Sequence, residues 1–166
     1  MTWLDPDHLD ERDVAGAVTV LEAARLADYP HQLGPTVSWL TARLRHGWDG
    51  DPPTAGLAGD GRGRVVGVVE VSLSEWDNTH TGWVDVTVHP VSRGQGIGRR
   101  MFEEGVERVR AAGRTLLLSE SFELSPGVGF LKAMGLDRAS DVVQRRQDLL
   151  ATDWTHLAET YADAER

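Results

Sequence analysis

The fold is decided by one stretch of the sequence, residues 84–100, which reads VDVTVHPVSRGQGIGRR. Its first part alternates apolar and polar side chains, which is typical of a half-buried β-strand, and Pro90 ends that strand. Glycines follow at positions 94, 96 and 98, and apolar residues at helical spacing follow the glycines. The stretch therefore predicts a strand, a glycine-rich turn and a helix in immediate succession.

The glycine-rich turn is predicted to bind a phosphate-bearing ligand. Glycines allow backbone N–H groups to converge without interference from side chains, and the start of a helix carries the positive end of its dipole. Arg93, Arg99 and Arg100 add positive charge to this part of an otherwise acidic chain. We therefore expect a pyrophosphate group to bind at this turn.

The spacing of the glycines distinguishes between three kinds of phosphate-binding loop. The turn has no Gly-Lys-Ser/Thr, so it is not the loop of a P-loop NTPase. It also differs from the dinucleotide-binding Gly-x-Gly-x-x-Gly, and no acidic strand end follows about 20 residues later. The third pattern, Arg/Gln-x-x-Gly-x-Gly/Ala after a strand that ends in proline, fits residues 93–98 at every fixed position.

Hydrophobic periodicity predicts the remaining elements. Hairpin-linked and crossover-linked strands are mixed, so we predict an α/β fold with a central mixed (α+β) sheet and helices on both of its faces. Residues 64–73 are apolar on both faces, which indicates a central strand. Helices are expected at residues 10–28, 36–45, 99–112, 128–134 and 153–164, strands at 54–58, 64–73, 83–89 and 115–118, and a strand or extended tail at 142–149.

Length and composition indicate an ordinary folded domain. The 166 residues contain no cysteine, which fits a reducing compartment, and no apolar run approaches the ~20 residues that span a bilayer. The net charge of −9 argues against nucleic acid as a partner and favours a cationic ligand over an anionic one. The histidines show no ligand spacing, so no metal is predicted. We expect a cytoplasmic protein without a membrane partner, with one domain at residues 1–150 and an amphipathic helix or linker at residues 151–166.

Residues 64–136 resemble the GNAT superfamily of N-acetyltransferases. The resemblance is carried by the strand that ends in His89-Pro90, the glycine-rich turn, the helix that follows it, and the sequence FLKAMGL at residues 130–136. Residues 77–80 and 143–149, the latter followed by Trp154, look like one half of a tandem GNAT protein. The resemblance implies a GNAT-like fold. As partners it implies a homodimer or a second GNAT domain, to which the helix from residue 153 would be the linker.

The resemblance also implies an activity, the acetyl-CoA-dependent transfer of an acetyl group to the amine of a small molecule by direct attack. A backbone N–H near the end of the strand would polarise the thioester carbonyl. No acyl-enzyme is needed, in agreement with the lack of cysteine. The implied contacts are those of the pyrophosphate with Arg93, Gly94, Gln95, Gly96, Ile97, Gly98 and Arg99, and those of the pantetheine arm with Val86, Thr87 and Val88.

The attacking amine must lose a proton, because an ammonium group has no lone pair, and a base is needed to take it. The candidates are Glu70, Asp85 and Glu120. Glu70 is favoured, since its strand is otherwise apolar and its carboxylate should be partly desolvated, with a raised pKa. Ser119 or Ser121 could supply a hydroxyl group, and Ser121 is counted among the catalytic candidates.

Two positions depart from the family pattern. Leu131 lies where the family often carries a tyrosine general acid, and Leu124 lies near the position of its frequent asparagine. Neither leucine can donate a proton or orient an amide, although a thiol pKa of about 8.5 makes the thiolate a tolerable leaving group. Two alternatives stay open: a catalytically degenerate GNAT-like module that binds CoA or a partner domain, and a generic phosphate- or nucleotide-binding α/β domain.

Overall fold

A five-stranded mixed β-sheet organises Met1–Leu136 in the computed structural model, which describes residues 1–48, 50–145 and 148–164. The strands lie in sequence order, antiparallel from the first to the fourth, and the fifth is parallel to the fourth. The strands are β1 (Thr2–Trp3), β2 (Thr54–Gly59), β3 (Val65–Leu73), β4 (Thr81–Val88) and β5 (Leu116–Leu118), and the helices are α1 (Glu11–Asp28), α2 (Val37–His46), α3 (Ile97–Ala111), α4 (Gly127–Ala133) and α5 (Trp154–Ala164).

The predicted α/β class, with a mixed sheet and helices on both faces, is confirmed. Each predicted helix is present. Strand β1 was not predicted, because two residues are too few to show an alternating pattern. In the segment expected to be a strand or an extended tail, residues 142–145 lie in neither a helix nor a strand. Residues 146 and 147 of that segment lie outside the described part of the chain.

Helices α1 and α2 cover one face of the sheet. The side chain of Asp10 accepts a hydrogen bond from the N–H of Arg12 and so caps the start of α1, and Thr36 does the same for α2 through the N–H of Trp39. Each fully buried aliphatic side chain at this face contributes roughly 1.5–3 kcal/mol. The buried residues that form this core are Val14, Ala17, Val20, Leu40, Leu44, Ala55, Leu57 and Val68.

Helix α3 covers the opposite face. Its buried side chains, Met101, Phe102 and Val109, form a second core with Val69, Val71 and Val84 of the sheet. Because neighbouring valines of β3 belong to different cores, β3 is buried on both faces, as predicted for the central strand. The helix lies so close to β4 that a Cβ atom on Gly105 would be 2.6 Å from Cγ1 of Val84.

Asp137–Arg166 form a second compact unit. It contains α5, which confirms the helix predicted at residues 153–164. Trp154, Leu157 and Tyr161 of this helix are exposed. None of the helices in the described residues combines the length and the apolar character that crossing a bilayer requires.

We expect Gly105→Ala to destabilise the fold relative to Gly129→Ala. Both glycines are helical, so both exchanges gain about 1 kcal/mol of helix propensity. Only at Gly105 does the new methyl group overlap a buried side chain, since a Cβ atom on Gly129 would meet open space. Urea denaturation should give a difference of about 1–3 kcal/mol between the variants. Equal stabilities would contradict the close approach of α3 to β4.

Candidate active site

Strands β4 and β5 separate after a short stretch of pairing. They pair only over Thr81–Trp83 of β4. The remainder, Val84–Val88, continues beside β3, and no other strand in the described part of the chain lines its second edge. The sheet therefore has an opening between two strands rather than only at its outer edges.

The backbone of β4 alternates between the two sides of the strand. The N–H of His89 donates to the carbonyl of Val66 at 2.9 Å, so the alternation of an antiparallel ladder also directs the backbone groups of Thr87 toward β3. The same alternation turns the N–H and C=O groups of Val86 and Val88 toward the opening. Of the three strand residues expected at a pantetheine arm, these two present their backbone to it, and Thr87 does not.

The glycine-rich turn carries backbone N–H groups without partners. Gly94 and Gly96 adopt φ angles of 75° and 74°, a left-handed conformation that favours glycine. In the described part of the chain, the N–H groups of residues 94–99 donate no hydrogen bond, and they lie at the positive end of a 15-residue helix. A Cβ atom on Gly98 would be 3.5 Å from the side chain of Val88, so the free N–H groups adjoin the opening. This arrangement binds anions.

Arg93 is one of the three arginines expected to add positive charge to this turn, but its guanidinium group binds a carboxylate instead. Its Nη1 and Nη2 donate to the two carboxylate oxygens of Asp28 at 2.9 and 2.7 Å, and its Nε donates to the carbonyl of Val88 at 3.1 Å. Arg93 therefore braces the end of α1 against the end of β4, with its charge balanced by Asp28. Arg99 and Arg100 are exposed beside the turn.

The three carboxylates predicted as candidate bases come together on the α1 and α2 side of the sheet. Glu70 of β3 lies directly opposite Asp85 of β4. Asp85 Oδ1 accepts from the Ser119 hydroxyl and from the backbone N–H of Glu120, both at 3.3 Å. Burial raises the pKa of Asp85 to about 6; the charges of Glu120 and Glu70 add to this effect, and the hydrogen bond from the Glu120 N–H opposes it.

Glu70, the carboxylate favoured on sequence, is held by an ion pair. Its Oε2 accepts from Nε of Arg43 at 2.7 Å, and both side chains are at least partly buried. Sequence analysis did not identify Arg43, because a helical pattern does not indicate which residue of a strand 27 positions away a side chain will contact. Asp85, which was also among the candidates, is a buried carboxylate with a raised pKa.

The serines and leucines that were singled out lie in different surroundings. Ser119 is the serine that contacts Asp85, whereas the hydroxyl of Ser121 is hydrogen-bonded to that of Ser125 at 2.9 Å. Leu131 is partly buried against the core under α3, and Leu124 is exposed. Neither leucine brings a polar group to the carboxylates.

An aromatic pair that sequence analysis did not identify lies beside the carboxylates. The rings of Tyr29 and Phe122 stack with centroids 4.0 Å apart and an angle of 23° between their planes. Burial raises the pKa of the Tyr29 phenol, and the charge of Asp28 adds to it. Since Asp28 contacts Arg93 after β4 and Phe122 follows β5, the end of α1 spans the two strands where they separate.

Comparison with known families identifies the class of protein. The model of the acetyltransferase (GNAT) family matches residues 19–135. The chain therefore belongs to the GNAT acetyltransferase family, as the glycine-rich turn and its flanking elements predicted. No curated protein matches the sequence.

Solved structures support the same fold. A tandem GNAT protein from the clavulanic acid biosynthesis pathway is 27% identical, with a TM-score of 0.70 over 83% of this chain and 43% of its own. A transcriptional regulator from Bacillus halodurans C-125 is 19% identical, with a TM-score of 0.67 over 88% of this chain and 99% of its own. An aminoglycoside N-acetyltransferase in complex with CoA is 12% identical, with a TM-score of 0.60 over 88% of this chain and 92% of its own. The chain thus spans less than half of the tandem protein.

The residues present fit the CoA thioester that GNAT enzymes use. A diphosphate requires several converging donors, which residues 94–99 offer. An extended arm with amide groups requires unpaired strand backbone, which the N–H and C=O groups of Val86 and the N–H group of Val88 offer, whereas the Val88 carbonyl already accepts from Arg93. In the described residues, no group of three or more histidine, aspartate and glutamate side chains is arranged to hold a metal ion.

The raised pKa of Asp85 predicts that Asp85→Asn stabilises the protein at neutral pH. Between the ordinary value of 3.8 and the folded value of about 6, the folded state holds a proton that the unfolded state has lost. Stability therefore falls as pH rises through this window. The asparagine does not titrate, and its oxygen can accept the same two hydrogen bonds. In urea denaturation we expect a gain on the order of 1–3 kcal/mol at pH 7.5 and none at pH 4.

Glu104→Gln is the matched control for this measurement, because Glu104 is exposed on α3. It should leave the difference between the two pH values unchanged. A gain of the same size at pH 4 and pH 7.5 in Asp85→Asn would show that the titration of Asp85 does not cause it.

Proposed function

We propose that this protein is an acetyl-CoA-dependent N-acetyltransferase that acetylates the amine of a small molecule by direct attack. The observation that carries the proposal is the set of partner-free N–H groups at residues 94–99 beside the opening between β4 and β5. The similar structure of an aminoglycoside N-acetyltransferase in complex with CoA supports it. The buried carboxylate of Asp85 beside the same opening supplies the base that such a transfer needs.

Acetyl-CoA would supply an acetyl group activated as a thioester. The N–H groups of residues 94–99 would hold its diphosphate, and the backbone of Val86 and Val88 would align its arm along β4. Asp85 would take a proton from the acceptor ammonium, so that the nitrogen gains the lone pair with which it attacks. The new bond joins this nitrogen to the acyl carbon, and the carbon–sulfur bond breaks. The nitrogen then loses a second proton, which leaves a neutral amide, and the CoA thiolate takes up a proton, both by exchange with solvent.

Asp85 suits the role of base better than its two neighbours. A carboxylate with a pKa of about 6 is ionised at neutral pH, yet it binds a proton more strongly than an ordinary aspartate does. Glu70 is committed to Arg43, and Glu120 is exposed to solvent. Glu120 would then act on the reaction through its charge, which favours a protonated amine at this place, whereas Arg43 balances the charge of Glu70.

Acetyl-CoA should raise the thermal midpoint of the wild-type protein, because a ligand that binds only the native state stabilises it by mass action. Gly96→Glu places a carboxylate among the free N–H groups and should abolish the rise by occlusion and repulsion. Gly61→Glu is the matched control, since it adds the same charge where a side chain meets open space. Each variant is compared with its own ligand-free midpoint.

ADP serves as the second ligand in this experiment, because it has the diphosphate but no pantetheine arm. We expect a smaller rise with ADP than with acetyl-CoA at the same concentration. An equal or larger rise with ADP would favour a generic nucleotide-binding domain. No rise with acetyl-CoA in the wild type would contradict the proposed function.

The rate of thiol release from acetyl-CoA should depend on the ionisation of Asp85. At saturating amine, kcat should rise with pH through about 6 as Asp85 loses its proton. Asp85→Asn should lower kcat by about 10²–10⁴-fold, the usual contribution of a general base. Glu120→Gln, which removes a neighbouring carboxylate, should lower it far less. A pH profile that Asp85→Asn leaves unchanged would assign the base to another group.

The alternative is a GNAT-like module that binds CoA without turnover. Leu131 and Leu124 favour it, because they bring no proton donor and no amide to the positions where the family often has them. This alternative predicts the thermal shift with acetyl-CoA but no thiol release with any amine. The two measurements together therefore separate an enzyme from a binding module.

The exposed helix α5 is the basis of a proposal about partners. We infer that residues 1–150 form one acyl-CoA-binding domain and that α5 belongs to a linker or pairing segment that leads to a second GNAT domain or a second copy. The exposed apolar side chains of α5 and the likeness to less than half of a tandem GNAT protein support this inference.

A further inference from the structure

The face of the sheet that carries Asp85 also carries a tryptophan that no core uses. Trp83 lies two residues before Asp85 on β4, so both side chains project from the same face. Trp83 is partly buried but belongs to neither of the two core clusters. The residue opposite it on β3 is Ser72, whose side chain is small. A partly exposed indole that packs in neither core thus lies on the same face of the sheet as the candidate base.

A second aromatic surface lies on the α2 side of the carboxylates. Arg43 joins Glu70 to this surface, because its Nε binds Glu70 and its guanidinium carbon lies 5.9 Å from the ring centroid of Trp39. Trp39 is 51% exposed. Aromatic side chains of β4 and α2 are therefore both near the carboxylates, Trp83 on the strand of Asp85 and Trp39 through Arg43.

The charge of the site favours a cation. Arg43 balances Glu70, and no cation in the described part of the chain pairs with the carboxylates of Asp85 or Glu120. Above the pKa of Asp85 two negative charges remain beside the opening. A second carboxylate, carried by the acceptor, would meet like charges there, which disfavours amino acids as acceptors.

We propose that the acceptor is a monocationic amine joined by a short arm to a flat apolar ring, with its ammonium group at Asp85 and its ring against Trp83. The proposal rests on the acetyltransferase function above. The Cα atoms of Asp85 and Trp83 are about 7 Å apart along the strand, which suits a nitrogen and a ring separated by a short arm. A flat ring can stack on an indole face, whereas a puckered ring of the same size cannot.

Three amines test the inference with acetyl-CoA and the full chain at pH 7.5. 2-Phenylethylamine has the flat ring and the single charge, 2-cyclohexylethylamine has a puckered ring, and phenylalanine adds a carboxylate. We expect kcat/KM for 2-phenylethylamine to exceed that for 2-cyclohexylethylamine about threefold or more, and that for phenylalanine by at least about tenfold. The inference would be overturned if kcat/KM were equal for 2-phenylethylamine and 2-cyclohexylethylamine, or if kcat/KM for phenylalanine equalled that for 2-phenylethylamine.

The preference for the flat ring is the ratio of kcat/KM for 2-phenylethylamine to that for 2-cyclohexylethylamine. Trp83→Leu should bring this ratio to about 1, and Trp39→Leu should lower it in part. Trp76→Leu is the matched control, because Trp76 is 80% exposed on the connection between β3 and β4 and should leave the ratio unchanged. If Trp83→Leu does not fold, Trp83→Phe, which keeps a smaller flat ring, takes its place and should lower the ratio in part. An unchanged ratio in the folded Trp83 variant would overturn the inference.

Calorimetric titration of the three amines in the presence of CoA separates this inference from the proposed function. Acetyl transfer to all three amines without a preference for 2-phenylethylamine would overturn the inference but would agree with the acetyltransferase function. Preferred binding of 2-phenylethylamine without acetyl transfer to any of the amines would contradict the function but would agree with the inferred class of ligand. Neither transfer nor binding of 2-phenylethylamine would overturn both.

Discussion

The backbone groups on the open edge of β4 are the constraint on which the site depends. A buried N–H or C=O group without a partner costs about 1–3 kcal/mol, yet β4 has neighbours on both sides only over Thr81–Trp83. The chain leaves β5 at Leu118, and the next two residues contact the Asp85 carboxylate rather than the backbone of β4. Apart from the Val88 carbonyl, which accepts from Arg93, pairing of the remaining edge is left to a ligand or solvent. The candidate carboxylates and the glycine-rich turn both lie beside that opening.

Local patterns predicted most of the fold and much of the site, because both depend on periods and glycines that the sequence displays. The strand, turn and helix of residues 84–100 and the carboxylates near them lie where these patterns put them. The contacts that sequence analysis missed are tertiary. Arg93 and Asp28 are 65 residues apart, and Arg43 and Glu70 are 27 apart. Each is an ordinary charged residue in its own helix, strand or loop, and only the packing of helices on the sheet brings the partners together.

The different surroundings of Glu70 and Asp85 follow from the same packing. Both carboxylates leave the same face of the sheet, and sequence analysis favoured Glu70 because its strand is otherwise apolar. The pKa of a carboxylate depends on burial and on its partners together. Glu70 has a guanidinium partner in α2, whereas Asp85 has only neutral donors from the residues after β5. Burial therefore dominates at Asp85, and a basic carboxylate results at the position nearer the opening.

The acidic charge of the chain and its anion-binding turn are compatible because the turn binds mainly through dipoles. Arg93, which sequence analysis counted among the ligands of the anion, is neutralised by Asp28, so the free N–H groups remain as donors together with the exposed side chains of Arg99 and Arg100. The influence of the N–H groups fades within the first turn of a helix. Val88 and Asp85 are roughly 10 Å apart along β4, about one Debye length at physiological ionic strength. Unpaired guanidinium groups at the turn would repel an ammonium group approaching Asp85 over that distance. The ion pair with Asp28 removes the contribution of Arg93 to this repulsion, whereas Arg99 and Arg100 stay exposed beside the turn. The ion pair therefore bears on the acceptor amine as well as on the phosphate.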